Sequence, residues 1–365
     1  MIEFDSASSE SSGKLGQRVS PSIQVKVLGI GGAGCNILSR LNSQISPRME
    51  FIALNTDRES LRRCKVKKKL QLGNSVTRGW GTGGDANLAK QIALEERDSI
   101  EGVLEGVDLT LLVSGLGKGT GTGVSPVISQ IAKEMGSLTV GFFVLPFSFE
   151  GERRISQAKK GLEELEKVVD AVMIVPNDDL LRDADENFSL KDGFKRIDNI
   201  LGETIEAMDN LLFCPGLIDL NFADIKAFLE RKGRLGVSVS RGSGRMAAQG
   251  VAKNALSVIG EGSLSKVEGI LLHIRGGESL SLMDVERAVS LIRKSIPSQA
   301  EIIFGASVDH NLSKETVLTL MVMGGEMPLK MEEKSEGKIE QEEFDLKAYR
   351  SDDLDIPTFL RKRKN

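Results

Sequence analysis

Aromatic residues, histidine and cysteine are scarce in this chain, and each scarcity removes a class of function. Phe, Trp and Tyr make up 4% of 365 residues, which leaves few platforms for stacking single-stranded bases, and a net charge of −4 supplies no global basic field for a phosphate backbone. No nucleic-acid partner is expected. His273 and His310 are the only histidines, too few for a histidine-based triad or metal site. Cys35, Cys64 and Cys214 are odd in number, far apart in the chain and in no ligand spacing, which fits a reducing compartment rather than a disulfide framework or zinc. The longest apolar stretch, LTVGFFVLPF over 138–147, falls short of the roughly 18 residues a membrane span needs, so a cytoplasmic protein without direct membrane insertion is expected.

What is present is an ordinary balance, 40% hydrophobic and 27% charged, over a length that suits two domains. Residues 1–22, rich in Ser, Gly and charge, read as a disordered arm. From Ile23 onward β-rich runs at 23–30, 51–57, 108–116 and 137–145 alternate with helical patterns, which predicts an α/β domain over 23–188 with a parallel, Rossmann-like sheet. Phe194, Ile197, Leu201, Ile205 and Met208 recur at steps of three and four and predict a long amphipathic helix over 189–212. Strand patterns at 269–275, 300–308 and 317–325, with a helix pattern between the first two, predict a smaller mixed α/β domain over 213–325. Residues 326–350 form a charged linker, and 351–365 a tail of different character.

Three glycine clusters carry the chemistry. GIGGAG (29–34) follows a strand and opens a helix, with Asp57 about twenty residues on, and so satisfies the dinucleotide fingerprint that a nicotinamide-dependent dehydrogenase would carry. GKGTGTG (117–123) also stands between a strand and a helix; the helix is expected from about Ser125, with Pro126 in its first turn. GWGTGGD (79–85) lies between them. Three converging loops suit a mononucleotide triphosphate better than a dinucleotide, and the Walker pattern fails because Gly119, not Ser or Thr, follows Lys118.

GTGTG (119–123), NTD (55–57), PFSFEGERR (146–154), VPNDDLL (175–181) and the terminal DDLDIPTFLRKRK make the chain resemble the tubulin/FtsZ family, on its FtsZ side. That resemblance implies GTP, with Mg²⁺ held through its phosphates and no metal ligands from the protein. It places Gly31, Gly32 and Asn36 near phosphates and base, Gly117, Lys118, Gly119, Thr120, Gly121, Thr122 and Gly123 around the α and β phosphates, and Gly81, Thr82 and Gly83 at the γ phosphate. Glu150 would accept from the ribose hydroxyls, with Arg154 and Asn177 at the ribose or base. Phe194 would stack on guanine and Asp198 accept from guanine N1 and N2; these two are i and i+4 on one helix face, so ring and carboxylate can address one flat base. Taken alone, Phe194 reads first as a core residue.

Two departures from the family stand out. Lys118 replaces a glycine: pointing inward it would meet phosphate, pointing outward it would be a solvated side chain, and at positive φ it would carry strain. In GLIDLNFADIKAFL (216–229) the family's catalytic pattern N-x-D-x-x-D becomes Asp219, Asn221, Asp224, with the first two residues exchanged. Asn221 cannot take a proton, while Asp219 and Asn221 share a face in an extended segment. Asn221 also makes a good N-cap and Asp224 a good first-turn acid. Ala86 replaces a usual proline, and Cys35 reads as a small packed residue.

The expectation is a self-polymerising GTPase of the division ring that hydrolyses GTP between adjacent head-to-tail subunits. The alternative is a hydrolysis-impaired scaffold or regulator of a second FtsZ. The resemblance implies that the tail residues Leu354, Ile356, Pro357, Phe359 and Leu360 dock a membrane-tethering division adaptor such as FtsA.

Overall fold

The computed structural model describes residues 23–41, 46–182, 189–214, 216–244, 247–313 and 315–324. The arm, the charged linker and the tail peptide lie outside the described residues. Ten strands form one sheet in the order β3-β2-β1-β4-β5-β6-β7-β10-β8-β9: β1 Val25–Ile30, β2 Glu50–Asn55, β3 Lys68–Gln71, β4 Leu109–Gly115, β5 Leu138–Leu145, β6 Ala171–Pro176, β7 Gly233–Ser243, β8 Gly269–Gly276, β9 Glu301–Val308 and β10 Glu315–Met323. Strands β1 to β6 are all parallel, in the doubly wound order 3-2-1-4-5-6, so the winding reverses between β1 and β4. The fingerprint loop follows β1 and the GKGTGTG loop follows β4, one on each side of that switch point.

The apolar runs predicted as strands are the buried ones. All eight residues of β5 are buried, as expected where helices cover both faces of a parallel sheet. The central helix, Leu190–Phe213, is capped by the Ser189 hydroxyl on the Asp192 N–H and buries Ile197, Leu201, Ile205 and Met208 at 2% exposure or less. Phe194 breaks that stripe at 39% exposed, which excludes the core reading.

Only two residue pairs, Ala171 with Gly233 and Val172 with Arg234, join β6 to β7; the rest of β7 pairs antiparallel with β10. One core runs from Val27 and Val113 through the central helix to Leu271, Met321 and Met323. The alternate residues Ile270, Leu272, Leu318 and Leu320 pack with Val251 and Ile292 from the helices Ala247–Ile259 and Leu282–Lys294. The period of two in β8 and β10 therefore builds two cores on opposite faces.

One helix begins earlier than the sequence predicts. The helix after β4 spans Gly119–Glu134, so GTGTG is its first turn and Pro126 lies inside it. Pro126, which the sequence reading places in the first turn, is instead accommodated within the helix, and the helix starts on glycine despite its low propensity. A Cβ on Gly119 would lie 2.0 Å from Thr82 Oγ1, on Gly121 2.3 Å from the Gly115 carbonyl, and on Gly123 2.1 Å from the Ala86 carbonyl. These glycines provide space for close approach. Among the described residues no helix is long and apolar enough to cross a membrane.

Candidate functional site

At the carboxyl ends of β1, β2, β4, β5 and β6 the loops surround a cleft of about 760 Å³. Gly32, Asn36, Gly81, Thr82, Gly83, Lys118, Gly119, Thr120, Gly121, Glu150, Arg154, Asn177 and Phe194 line it together, although they come from six segments of the chain. Gly31, Gly117, Thr122 and Gly123 are not part of that lining, and Asp198 lines an adjoining cavity that shares Arg40 and Phe194 with the cleft. Asp57, the acid of the dinucleotide fingerprint, also lines the cleft, and so do Asn55, Thr56, Trp80, Phe149 and Arg40, which the sequence reading assigns no role. Asn55 to Asp57 sat in the NTD motif, and Arg40 is i+4 from Asn36 on one helix, a spacing that could have disclosed it.

The loop after β4 is built around two contacts. Gly117 has φ 96°, a left-handed conformation that favours glycine, and its N–H donates to Thr122 Oγ1 at 2.9 Å. Lys118 has φ −122° and ψ −175°, ordinary extended backbone, so it carries no strain. Its side chain is exposed, and its carbonyl accepts from Gln157 Nε2 at 3.1 Å.

Two helices present uncompensated N-termini to the cleft. The helix Gly119–Glu134 has no side-chain cap and no acid in its first turn, and the helix Gly31–Leu41 likewise has no first-turn acid. Their neighbours differ: Asp57 caps Arg58–Arg63 and Asp85 caps Ala86–Glu95. Free N–H groups and the positive ends of two helix dipoles suit an anion such as phosphate. For Asp57 burial favours the neutral acid, but hydrogen bonds from Ser60 and Glu59 outweigh it and hold the carboxyl below its ordinary range.

Two buried polar atoms in the lining have no partner, the donor Asn55 Nδ2 and the acceptor Asn177 Oδ1. Unpaired buried amides are uncommon and costly. They fit a polar ligand that supplies one acceptor and one donor, as a nucleotide does. Thr56 Oγ1 and Thr120 Oγ1 are 2.7 Å apart at the same cleft. On the β5 side, Glu150 accepts from the Phe147 N–H at 3.0 Å and pairs with Arg154, while Phe149 stacks on Phe147 with 4.7 Å between centroids. On the central-helix side, both oxygens of Asp198 accept from Arg40, which also lies 6.0 Å from the Phe194 centroid.

None of Asp219, Asn221 and Asp224 lines this cleft. Asn221 caps the helix Phe222–Leu229 in a reciprocal box: its Oδ1 accepts from the Asp224 N–H at 2.9 Å, and Asp224 Oδ2 accepts from the Asn221 N–H at 3.1 Å. Asp219 accepts the Gly216 N–H at the other end of the loop at 2.5 Å. Between them Leu217 is 79% exposed, and backbone hydrogen bonds between Ile218 and Ala306 pin the loop to β9. Among the described residues no three His, Cys, Asp or Glu side chains gather as a metal would require. Cys35 is buried, as its packed reading expects, but the fold sets it against Cys64, whose Sγ donates to the Cys35 carbonyl at 3.4 Å.

The GTPase-domain model of the tubulin/FtsZ family matches residues 24–185, and the C-terminal-domain model of the FtsZ family matches residues 233–326. Among solved structures, an empty FtsZ dimer from M. jannaschii is 33% identical with a TM-score of 0.74, covering 83% of this chain and 88% of its own. GDP-bound CetZ1 from Haloferax volcanii shares the fold at 20% identity and TM-score 0.72, over 83% of this chain and 94% of its own. Two domain models in chain order, on a cleft built at the switch point of a doubly wound sheet, show that this chain belongs to the tubulin/FtsZ family of GTPases.

Proposed function

We propose that this protein binds GTP in the cleft, assembles head to tail, and hydrolyses the nucleotide with groups supplied by the next subunit. The observation that carries the reading is the separation of parts: the cleft holds the unpartnered amides and uncapped helix ends, while Asp219, Asn221 and Asp224 lie outside it. A set of carboxylates that does not reach its own nucleotide can act on a neighbour's. A heterologous contact of this kind makes filaments when it does not close. A solved CetZ2 from Haloferax volcanii is described as a GTPγS-bound protofilament, and the FtsZ relative as a dimer, which supports self-association.

In this reading the first turns of Gly31–Leu41 and Gly119–Glu134 receive the phosphates, with Thr120 donating its hydroxyl and Gly81 to Gly83 approaching the γ phosphate. Mg²⁺ carried on the phosphates would offset their charge. Glu150, Arg154 and Asn177 hold the ribose side, and Phe194 with Asp198 the base. Asp224, with Asp219 at the other end of the same loop, orients the attacking water in trans. Asn221 contributes a cap where the family places an acid, so hydrolysis is slow. The division ring is the proposed setting, with the tail residues Leu354 to Leu360 docking an adaptor such as FtsA.

Phosphate release from GTP, followed across protein concentrations beside Asp224→Ala, tests this reading. A rate per molecule that rises above a threshold concentration and falls about 10²- to 10⁴-fold in the variant is expected. Bound GTP with no turnover at any concentration would favour the second reading, a GTP-loaded scaffold or regulator. The engagement of Asn221 in its cap supports that second reading, and Asn221→Asp should then raise turnover.

A further inference from the structure

We propose that Arg40 competes with the purine base for Asp198, so that the base subsite is occupied by the protein's own guanidinium until guanine displaces it. The inference rests on the reading of Phe194 and Asp198 as that subsite. Arg40 Nη2 donates to Asp198 Oδ1 at 2.8 Å, and Arg40 Nε donates to Oδ2, so one planar group fills both carboxylate oxygens. Guanine carries the same guanidine unit within its ring, with parallel donors at N1 and N2 that match a carboxylate as arginine does. The mimicry extends to the ring, since Arg40 Cζ lies 6.0 Å from the Phe194 centroid.

Accessibility decides which partner leaves. The Arg40 side chain is 44% exposed and the Asp198 side chain 10%. The arginine can swing into water; the carboxylate must find a replacement donor in place. Arg40, Phe194 and Asp198 themselves border a second cavity of about 910 Å³, which gives the displaced guanidinium room; on its wall Glu203 offers an acceptor, beside Lys191 and Lys195. A base with two adjacent donors restores what Asp198 loses. Adenine, which has no such pair, leaves Arg40 where it is. Arg40 thus weakens guanine binding specifically and frees the subsite again when the nucleotide departs.

Equilibrium binding of GDP and ADP to the full chain, to Arg40→Ala, Arg40→Lys and Asp198→Asn, and to the Arg40→Ala/Asp198→Asn double variant tests this. A partly exposed bidentate pair is weak, so Arg40→Ala should tighten GDP by about 3- to 10-fold and leave ADP within about twofold. The tightening should vanish in the double variant. Arg40→Lys, which keeps the charge but not the fork, should fall between and serves if the alanine variant folds poorly. Unchanged or weaker GDP binding in both Arg40 variants, with Asp198→Asn eroding the preference for GDP over ADP, would overturn the competition. If Asp198→Asn keeps that preference intact, the base subsite is elsewhere, and the reading beneath the inference falls instead.

Discussion

Two arginine–aspartate pairs tie the fingerprint helix and the segment after it to the central helix, and they differ in kind. Arg40 with Asp198 stands at the cleft; Arg48 with Asp209 stands three turns further along the central helix. Exposure barely separates them, with side-chain values of 44% and 10% against 40% and 7%. The number of bonds does. Asp209 also accepts from the buried Ser46 hydroxyl, and Arg48 donates to the Phe213 carbonyl at 3.0 Å and lies 5.0 Å from the Phe213 ring centroid. Among the described residues the Arg40 and Asp198 side chains hydrogen-bond only each other, with the Phe194 ring centroid 6.0 Å from Arg40. The same chemistry is structural where it is cross-linked, and displaceable where a single competitor can replace it.

The largest effect should come from breaking the cross-linked pair. Asp209→Ala leaves Ser46 without its acceptor and Arg48 without its main partner, and should lower the unfolding free energy by about 3 kcal/mol in a denaturant titration, the low end for a buried pair because Arg48 keeps some water.

Next comes a buried titratable group with no counter-charge. Burial, and then the nearby Arg275, push the His273 imidazole down to about 4, and Ser307 Oγ is its hydrogen-bond partner at 3.3 Å. The unfolded chain, with an ordinary value near 6.5, binds the proton first, so this contribution is complete above about pH 6.5 and is lost as pH falls toward 4. The loss should be about 2–3 kcal/mol between those limits, and His273→Gln should flatten that slope in stability measured at pH 7 and pH 4.5.

A smaller change is expected from Arg40→Ala, under about 1 kcal/mol in the same titration, because its pair is partly solvated. A loss as large as that for Asp209→Ala would erase the contrast between the pairs. The smallest signal is spectroscopic. Trp80, the only tryptophan, is 86% exposed on the cleft lining, so GDP should shift its emission without changing stability in the absence of nucleotide.

Much of the fold was legible because strand burial and helix periodicity are local patterns. Ile197, Leu201, Ile205 and Met208 announced the central helix, and the runs in β1, β2, β4 and β5 announced the parallel sheet to within a residue or two. The start of the helix at Gly119 was not legible, because glycine propensity disfavours it and only the fold shows the Gly115 carbonyl and Thr82 hydroxyl standing where side chains at Gly121 and Gly119 would be. Of the candidate site, the glycine loops and Phe194 could be picked out, whereas the pairing of Arg40 with Asp198 and the unpaired Asn55 amide could not. Their significance lies in what stands opposite them.

The amino-acid sequence by itself determined the order of strands and helices, the membership of the family and the spacing of Asp219, Asn221 and Asp224, since these depend on residue identity and position along the chain. Only the tertiary structure decided that Lys118 is unstrained and exposed, that Asn221 is engaged as a cap, and that Asp198 already holds a guanidinium. The physical reason is that a hydrogen bond requires two groups within about 3 Å, and Arg40 and Asp198 are 158 residues apart until the central helix packs beside the fingerprint helix.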